Sequence, residues 1–428
     1  MKKLMKHRVN LKIGKTMLVD GPATVQVVNG MVNVMGAVFA EGSAIKIRRF
    51  RRTPFYAEQS EAELTVDGEK YRVVEGSTIP GSWIQCAEKT TGDEAMLIAV
   101  VGESDSGKTS LAVFLANYYL NFRGEVGIVD GDPGQNDLGI PGTVSAGVVN
   151  KGLSDLSQVR PEIIEFVGLT APEAGVEDLN EAITKTVRKL KEKGLGKIVL
   201  NTDGWVDSKG LRHKAELIRR VKPSFIVSLL EGEQASTFVR ELDPSMKMIQ
   251  VEKSPYVKRR SRIHRRLLRT QNYMKHFSRA RTVKKTLQEV AFLNHPFLNG
   301  EPTAFSKELD DMKLSILEAK QYMSVTYVRA REKLDEPITM KVDGKMFLIL
   351  GENWEKGLLV GLGKEGKIVG VGILESLVGN EVAVKTALAT RFDFIKLGEI
   401  KLDPAFNEKS FRWKPRDYGD IQSFQGDR

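Results

Sequence analysis

The spacing of apolar and polar residues divides the chain into three regions. The first carries short runs of β-forming residues, such as 23–28 and 62–66, separated by turn residues. In the second, apolar runs alternate with segments of helical period, and in the third the short β-forming runs return. The predicted domains are an N-terminal β domain (1–92), a central domain (93–300) and a C-terminal β-rich domain (301–428).

The central region is predicted to consist of repeated strand–helix units. Its predicted elements are a strand at 96–101 with the helix after it, a strand at 125–130, a helix at 177–193, a strand at 197–201, a helix at 209–221, and strands at 225–230 and 247–251. Such repeats predict an α/β fold, a parallel sheet with helices on both faces, whose ligands bind beyond the carboxyl ends of the strands. The elements predicted after it are a helix at 308–323 and strands at 346–350, 357–360 and 367–371.

The first strand–helix unit contains a phosphate-binding motif. Its loop reads G-E-S-D-S-G-K-T, which is G-x-x-x-x-G-K-T between a strand and a helix, the pattern of a P-loop (Walker A). The glycines permit backbone angles that a Cβ would forbid, so the loop amides can converge on phosphate at the positive end of the helix. Lys108 can bridge the β- and γ-phosphates, and the Thr109 hydroxyl can ligate Mg²⁺. The predicted nucleotide contacts are Gly102, Glu103, Ser104, Asp105, Ser106, Gly107, Lys108, Thr109 and Ser110.

Two acids follow the next predicted strand, in the run D-G-D-P-G-Q at 130–135. One carboxylate at this place can hold the water shell of Mg²⁺, and a second can accept a proton from an incoming hydroxyl. We assign Asp130 to the metal and Asp132 to the base, although strand geometry leaves open which acid does which. The alternative is that D-P-G forms only a turn.

The positive charge of the chain is concentrated in one window. Net charge is +10, yet residues 253–285 hold thirteen Lys or Arg and no acid, so the rest of the chain sums to −3. We predict that this window is helical and meets a polyanion, with a solvated basic face as the alternative. On a helix, Arg262 and Arg266 share one face and Arg265 and Arg269 share another. Folded as a lid over the triphosphate, such a helix would bring guanidinium groups to the charge of the γ-phosphate.

A tryptophan follows the predicted strand at 197–201, in the run N-T-D-G-W at 201–205. Trp205 can offer a flat ring to a nucleobase, or it can belong to the core. A second cluster, of arginines in the N-terminal region, is more typical of a solvated sheet edge than of a ligand site; it consists of Arg48, Arg49, Arg51 and Arg52.

Several classes of protein are disfavoured by what the chain lacks. Its one cysteine, Cys86, excludes an internal disulfide and a cysteine-based zinc site. The basic N-terminus has no apolar core typical of a secretory signal, and no run reaches the ~18–20 apolar residues of a membrane span. We therefore expect a cytoplasmic protein without a membrane partner.

Together these motifs resemble those of the polynucleotide 5′-hydroxyl kinases. The matching runs are G-E-S-D-S-G-K-T, D-G-D-P-G-Q, I-P-G-T-V-S at 140–145, N-T-D-G-W and R-S-R-x-x-R-R-x-x-R. That family includes the kinase subunit of eukaryotic pre-mRNA cleavage factor, the nucleolar pre-ribosomal-RNA processing kinase and similar archaeal members. The resemblance covers the central domain, and the flanking β domains fit the family's three-part architecture in outline.

The resemblance implies roles on the donor side. Lys108 and Thr109 match the family's phosphate and Mg²⁺ contacts, and Asp132 matches its general base. Gln135, in the same D-x-G-Q motif, would touch the acceptor or a metal-bound water. No N-K-x-D signature for guanine is present, so ATP or a donor of either purine, ATP or GTP, is expected.

The resemblance also implies roles on the acceptor side. Thr202 and Trp205 fall in the family's T-x-G-W clasp, which holds the acceptor end of the nucleic acid. Arg262 and Arg266 match its lid motif R-x-x-x-R. Arg265 and Arg269 offer a second match with the same spacing, and in this role they would contact the nucleic acid.

The function predicted from these residues is transfer of the γ-phosphoryl of ATP or GTP, with Mg²⁺, to the 5′-hydroxyl of RNA, with DNA as a second acceptor, in RNA processing or repair. Two other classes stay open. One is a nucleotide-dependent switch or maturation NTPase, in which water is the acceptor. The other is a nucleotide-binding scaffold within an RNA-processing assembly. Small-molecule kinases fit less well, because their acceptors do not need so basic a window.

Overall fold

The computed structural model describes residues 6–92, 95–304, 314–342 and 344–414. The chain folds as two compact units, Met1–Tyr273 and Met274–Arg428. The three domain boundaries given above stay predictions. No helix in the described part of the chain is both long enough and apolar enough to cross a bilayer.

The first unit begins with an antiparallel sheet. Its strands are β1 (Lys6–Leu11), β2 (Lys15–Asn29), β3 (Met31–Val34), β4 (Ala37–Ala40), β5 (Ala44–Ile47), β6 (Arg52–Tyr56) and β7 (Ala62–Glu75). They run in the order β1-β7-β2-β6-β3-β4, with β5 paired to β2. The predicted N-terminal β region is confirmed, and the helix α1 (Gly81–Lys89), which the strand pattern did not predict, follows it.

The central sheet contains the predicted strand–helix units. Its elements are β8 (Met96–Val101), α2 (Lys108–Arg123), β9 (Val126–Gly131), β10 (Thr143–Val149), β11 (Ile163–Phe166), α3 (Val176–Glu192), β12 (Lys197–Thr202), α4 (Ser208–Val221), β13 (Phe225–Ser228), α5 (Gly232–Glu241), β14 (Met248–Gln250) and α6 (Arg262–His276). The strand order is β11-β10-β9-β12-β8-β13-β14. The pairs from β9 to β14 are parallel, whereas β10 and β11 form an antiparallel edge. The α/β prediction is thus confirmed, with this edge as an addition.

Strand β8 is apolar along its whole length because both of its faces are covered. Ile98 and Val100 join a core that includes α2, and Leu97, Ala99 and Val101 join the core on the opposite face, which includes α3 and α4. Alternate side chains of a strand point to opposite faces, so a strand covered on both faces loses the polar alternation. The end of β8 is therefore held firmly where the phosphate loop begins.

Helix α2 is buried on nearly all sides, since it packs between the N-terminal sheet and the central sheet. Phe114 approaches Gly36, where a Cβ would lie 3.1 Å from the ring. The amide of Asn117 donates to the carbonyls of Met35 and Leu153, each at 2.8 Å. A helix that is apolar all round is a buried helix, and here it joins two sheets into one unit.

The second unit is rich in β structure, as predicted. Its elements are β15 (Arg281–Thr286), β16 (Ala291–Phe292), α7 (Pro296–Asn299), β17 (Glu301–Pro302), β18 (Ile316–Tyr322), β19 (Val325–Ala330), β20 (Ile338–Val342), β21 (Lys345–Gly351), β22 (Leu358–Lys364), β23 (Lys367–Val378), β24 (Glu381–Thr386), β25 (Phe394–Leu402) and β26 (Glu408–Ser410). One sheet runs β15-β24-β23-β22-β25-β16 with β26 on β25, and the other runs β17-β18-β19-β21-β20.

Two predicted helices need correction. The helix predicted at 308–323 is wrong where the structure describes it, because β18 pairs with β19 there, and residues 308–313 of the segment lie outside the described residues. The basic window 253–285 is helical only in α6 and in a short 3-10 turn at Phe277–Arg279, and its end forms β15, which pairs with β24. Pairing with the next strand at β18, and with a distant strand at β15, outweighs local helix propensity.

Candidate functional site

The phosphate loop, residues 102–107, connects β8 to α2 as the motif predicts. Gly107 caps α2 with φ of 101°, and Asp105 has φ of 59°, so both lie in the left-handed region. The Lys108 ammonium curls back and donates to the Glu103 carbonyl at 2.7 Å. A pocket lies over this loop, and the motif residues that line it are Ser104, Asp105, Gly107, Lys108, Thr109 and Ser110.

Asp132 and Lys108 line the same pocket. One oxygen of the Asp132 carboxylate accepts from the backbone N–H groups of Gly134 and Gln135, at 3.0 and 2.9 Å, which fixes the side chain in the D-P-G turn. Burial raises the pKa of Asp132, and nearby Asp203 raises that pKa further, against the lowering effect of Lys108. Burial lowers the pKa of Lys108 to about 8, with Asp132 the strongest opposing charge.

Asp130 is fully buried beneath the pocket, at the end of β9. Its carboxylate accepts from the Asp137 backbone N–H at 2.7 Å and from the Asn201 amide at 3.0 Å. The same Asn201 amide lies 3.5 Å from the Thr109 hydroxyl. Burial, together with the acids Asp137 and Asp132, raises the pKa of Asp130 to about 7. Asn201 therefore joins the acid to the phosphate loop, a role that the sequence did not suggest for it.

The chemistry of these donors fits Mg²⁺. In the described residues no group of three or more His, Cys, Asp or Glu could hold a metal. A Mg²⁺ ion in a phosphate-loop protein needs few protein ligands, because phosphates and water complete its octahedron. The buried side-chain oxygen of Asn201 has no hydrogen-bond partner among the described residues, and burial together with the neighbouring acids Asp137 and Asp132 raises the pKa of Asp130, so a cation here would meet uncompensated acceptors. Thr109 and Asp130 would hold the ion, directly or through water, and the ion would neutralise phosphate charge.

The acceptor loop, residues 201–205, touches the phosphate loop. A Cβ at Gly204 would lie 2.8 Å from the backbone nitrogen of Ser104, so only glycine fits this approach. Thr202 lines the pocket, but its hydroxyl donates to the Val100 carbonyl at 2.8 Å. Trp205 is half-buried and stacks on His213 of α4, with ring centroids 5.7 Å apart. The ring of Trp205 thus packs against α4, and Trp205 is not among the residues that line the pocket.

A buried ion pair supports the acceptor loop. Asp203 and Lys214 are both fully buried, and the Lys214 ammonium donates to the Asp203 carboxylate at 2.7 Å. The same carboxylate oxygen accepts from the Trp205 backbone N–H at 2.8 Å. Burial by itself would raise the pKa of Asp203, but Lys214 and His213 outweigh burial and hold that pKa well below its usual range. The pair fixes the loop at the base of the pocket.

Helix α6 lies over the pocket, and one of its arginines reaches the phosphate loop. Arg265 lines the pocket and its guanidinium donates to the Asp105 carboxylate at 3.1 Å. Arg260, just before the helix, pairs with the same carboxylate at 2.7 Å. Arg262 and Arg266 are exposed and do not line the pocket, and Arg269 is half-buried. Two pairs of lid arginines were considered above, Arg262 with Arg266 and Arg265 with Arg269. The pair that contains Arg265 is the one that faces the phosphate loop.

The N-terminal sheet forms one wall of the pocket, and here the expectation of a solvated arginine edge is wrong for three of its four arginines. Arg48 and Arg51 both pair with Asp137, and Arg52 pairs with Asp20 at 2.8 Å. These three arginines neutralise an acid of the central domain and one on β2 of their own sheet, whereas Arg49 is exposed as expected. The residues of the N-terminal region that line the pocket are Leu18, Met35, Phe50, Arg51, Arg52, Thr53, Pro54, Thr78, Ile79 and Trp83.

The remaining predicted site residues lie at or near the same place. Gln135 lines the pocket, and its amide donates to the Gly134 carbonyl at 2.8 Å. Gly102 is crowded, since a Cβ there would lie 2.7 Å from the Ser106 hydroxyl. Glu103 pairs with Lys253 at 2.7 Å, outside the pocket lining.

A glycine-rich loop connects a parallel strand to a buried helix, and a lysine, a hydroxyl group and two acids lie near it. These features define a P-loop nucleotide-binding domain. The sequence family described as mRNA cleavage and polyadenylation factor CLP1 P-loop matches residues 102–279. Over these residues the chain is therefore similar to the CLP1 P-loop family.

Curated relatives extend the similarity beyond that domain. The chain is 29% identical over 292 residues to a polyribonucleotide 5′-hydroxyl-kinase of Pyrococcus furiosus, across 65% of this chain and 79% of the relative. It is 26% identical over 292 residues to a polyribonucleotide 5′-hydroxyl-kinase of Methanocaldococcus jannaschii, across 65% and 78% of the two chains. Distant homology to these kinases follows.

A solved structure of Clp1p in complex with Pcf11p has the same fold. It superimposes with a TM-score of 0.67, covering 93% of this chain and 98% of that one, at 14% identity. The succession of an N-terminal sheet, a P-loop domain and C-terminal β structure is therefore that of Clp1p.

Proposed function

We propose that this chain is a polynucleotide 5′-hydroxyl kinase, which transfers the γ-phosphoryl group of ATP or GTP to the 5′-hydroxyl of RNA, and of DNA as a second acceptor, in RNA processing or repair. One observation carries the proposal: Asp132 and Lys108 line one pocket over the phosphate loop, and each is the other's strongest partner of opposite charge. A phosphate-binding cation and a carboxylate that line one pocket suit transfer to an alcohol.

In this proposal the oxygen of the 5′-hydroxyl forms a bond to the γ-phosphorus, and Asp132 accepts the proton of that hydroxyl. The bond between the γ-phosphorus and the β–γ bridging oxygen breaks at the same time. A raised pKa makes Asp132 a stronger base than an ordinary carboxylate. Lys108, with a pKa of about 8, stays mostly protonated at neutral pH and holds the donor phosphates. Arg265 would meet the charge that develops on the γ-phosphate.

The acceptor is inferred to be a nucleic acid because of three features. The basic window 253–285 carries Lys and Arg without acids, which suits a polyanion. The acceptor loop contains Trp205 beside Gly204, and Trp205 is only half-buried. The relatives named as polyribonucleotide 5′-hydroxyl-kinases match this chain over about two thirds of its length.

The test is end-labelling. The purified protein is incubated with each γ-labelled nucleoside triphosphate and with matched RNA and DNA oligonucleotides that carry a 5′-hydroxyl. We expect label on the oligonucleotide with ATP or GTP, and none on the same oligonucleotide already 5′-phosphorylated. Label found only in inorganic phosphate would replace this proposal with an NTPase switch, and binding without turnover would replace it with a scaffold.

A further inference from the structure

The carboxylate of Asp105 gathers its hydrogen bonds from the lid, the segment formed by Arg260 and helix α6. One oxygen accepts from the guanidinium of Arg260 at 2.8 Å, and the other accepts from the Arg260 backbone N–H at 2.9 Å and from Arg265 at 3.1 Å. The Asp105 side chain is only 8% exposed. These three residues form what we call the Asp105 latch.

An aspartate is an unexpected residue at this place. The backbone at Asp105 has φ of 59°, a conformation that glycine adopts more easily. The loop also receives an anion, so a carboxylate within it opposes binding of the triphosphate. Glycine at this position would remove both disadvantages. The carboxylate is therefore best explained by its contacts with Arg260 and Arg265.

We propose that Asp105 is a positioning residue, which holds Arg260 and Arg265 over the phosphate loop before the nucleotide arrives. The inference rests on the proposed function only in taking a nucleoside triphosphate as the ligand. Two guanidinium groups against one carboxylate leave a net positive charge facing the pocket, which both arginines line. The phosphates then meet arginines that are already ordered.

The arginines keep donors for a second partner. A guanidinium has five N–H donors, and the latch uses only some of them. One terminal nitrogen of Arg260, Nη1, is buried and has no hydrogen-bond partner among the described residues. Arg265 also donates to the Arg260 carbonyl at 2.9 Å, which orders the two side chains as a pair. A phosphate oxygen would satisfy the remaining donors while Asp105 stays in place.

A second contact keeps the lid near the pocket when the latch is removed. Phe50 of the N-terminal region stacks on His264 of α6, with ring centroids 4.3 Å apart and an angle of 21° between the planes. Loss of the Asp105 carboxylate should therefore loosen the start of α6 and leave the rest of unit 1 folded.

The experiment compares Asp105→Ala and Asp105→Asn with the wild type, using amide hydrogen exchange over 258–268, the dissociation constant for ATP, and kcat. In Asp105→Ala we expect faster exchange in this segment and kcat lower by about tenfold, as for the loss of an oriented charged group. ATP affinity should change little, because the loss of a negative charge favours binding while the loss of ordered arginines opposes it. Asp105→Asn keeps one acceptor oxygen, so its exchange rate and its kcat should lie between those of Asp105→Ala and the wild type.

A double-mutant cycle tests the partner. The kcat effects of Asp105→Ala and Arg265→Ala should combine to less than the product of the two single fold-changes, because both variants break the Asp105–Arg265 contact, while Asp105→Ala also releases Arg260. The kcat effects of Asp105→Ala and Arg259→Ala should multiply, because Arg259 is an exposed neighbour and serves as the matched control.

Unchanged exchange in Asp105→Ala would overturn the proposal, as would weaker ATP binding with unchanged exchange, which would mean that the carboxylate shapes the phosphate loop itself. Exchange and ATP binding need no RNA. They judge the latch even if the wild type transfers nothing to an oligonucleotide.

Discussion

Helices α2 and α6 both border the phosphate loop, but they are held in opposite ways. The buried residues of α2 lie all around it and include Leu111, Phe114 and Leu115, which pack against two sheets. In α6, Leu268 and Tyr273 are the buried residues, while Ile263 and Leu267 are exposed. The contacts of α6 with the loop are ionic. Apolar burial fixes the helix that follows the phosphate loop, whereas ion pairs hold the start of the lid against that loop, with the Phe50–His264 stack as a second contact.

The difference bears on how the two helices respond to solution conditions. Burial of apolar surface contributes roughly 25 cal/mol per Å² and does not depend on dilute salt. Ion pairs at the pocket surface weaken as salt is added, because screening acts over about 8–10 Å at physiological strength. The proposed transfer reaction, which would admit a polymer end and then surround a triphosphate, needs one part of each kind.

The largest effect should come from the cation of the cradle. Lys108→Ala should lower kcat by at least about a thousandfold, because the developing charge on the phosphates loses its nearest ammonium. Single-turnover label transfer to a 5′-hydroxyl RNA measures this, with circular dichroism to check that α2 stays folded. A variant with normal turnover would mean that the phosphate loop does not hold the donor.

The base comes next. Asp132→Asn should reduce kcat by about 10²–10⁴-fold with little change in ATP affinity, since the amide cannot accept the hydroxyl proton. Transfer rate and ATP affinity, measured on the same preparation, separate the two effects. Asp132 would lose its assigned role if the amide variant transferred phosphate at the wild-type rate.

The packing contrast itself can be measured by denaturation. Leu115→Ala in α2 should lower the free energy of unfolding by about 2–5 kcal/mol, because it opens a cavity in a core that has no room to relax. Leu267→Ala, its counterpart on the exposed side of α6, should change stability by no more than about 0.5 kcal/mol. Equal losses would show that α6 is packed as firmly as α2.

The register of the lid can be decided in the same helix. Arg265→Ala should lower kcat by about 10–100-fold, since it removes a guanidinium from the pocket. Arg262→Ala, which removes the same charge from the exposed face, should stay within about twofold. A larger loss of kcat in Arg262→Ala than in Arg265→Ala, measured in parallel, would assign the catalytic role to the R-x-x-x-R pair, Arg262 and Arg266.

The smallest effect should fall on the acceptor alone. Trp205→Ala should raise KM for the oligonucleotide by about tenfold, the low end of a lost base–aromatic stack, with KM for ATP unchanged. Steady-state titration of each substrate at saturation of the other gives both constants. A parallel loss for both substrates, or a fall in melting temperature with no change in KM, would make Trp205 a support for α4.

What the sequence predicted well was local. The motif at 102–109 specifies its own strand, loop and helix through glycine geometry and apolar period, and the acids after β9 follow from where a strand ends. Arg51 and Asn201 were missed because their roles depend on residues far away in the chain, Asp137 and Asp130. The buried Asp203–Lys214 pair was missed for a related reason: its members lie eleven positions apart and look like ordinary surface residues. Strand β18 was mistaken for helix, since only its partner β19 makes it a strand.

Gly204 lies so close to Ser104 that a Cβ at residue 204 would overlap the backbone of the phosphate loop. Any change in the shape of residues 201–205 will therefore be transmitted to the phosphate loop. Under the proposed function, a redesign of one substrate's specificity at this contact will alter the specificity for the other substrate as well.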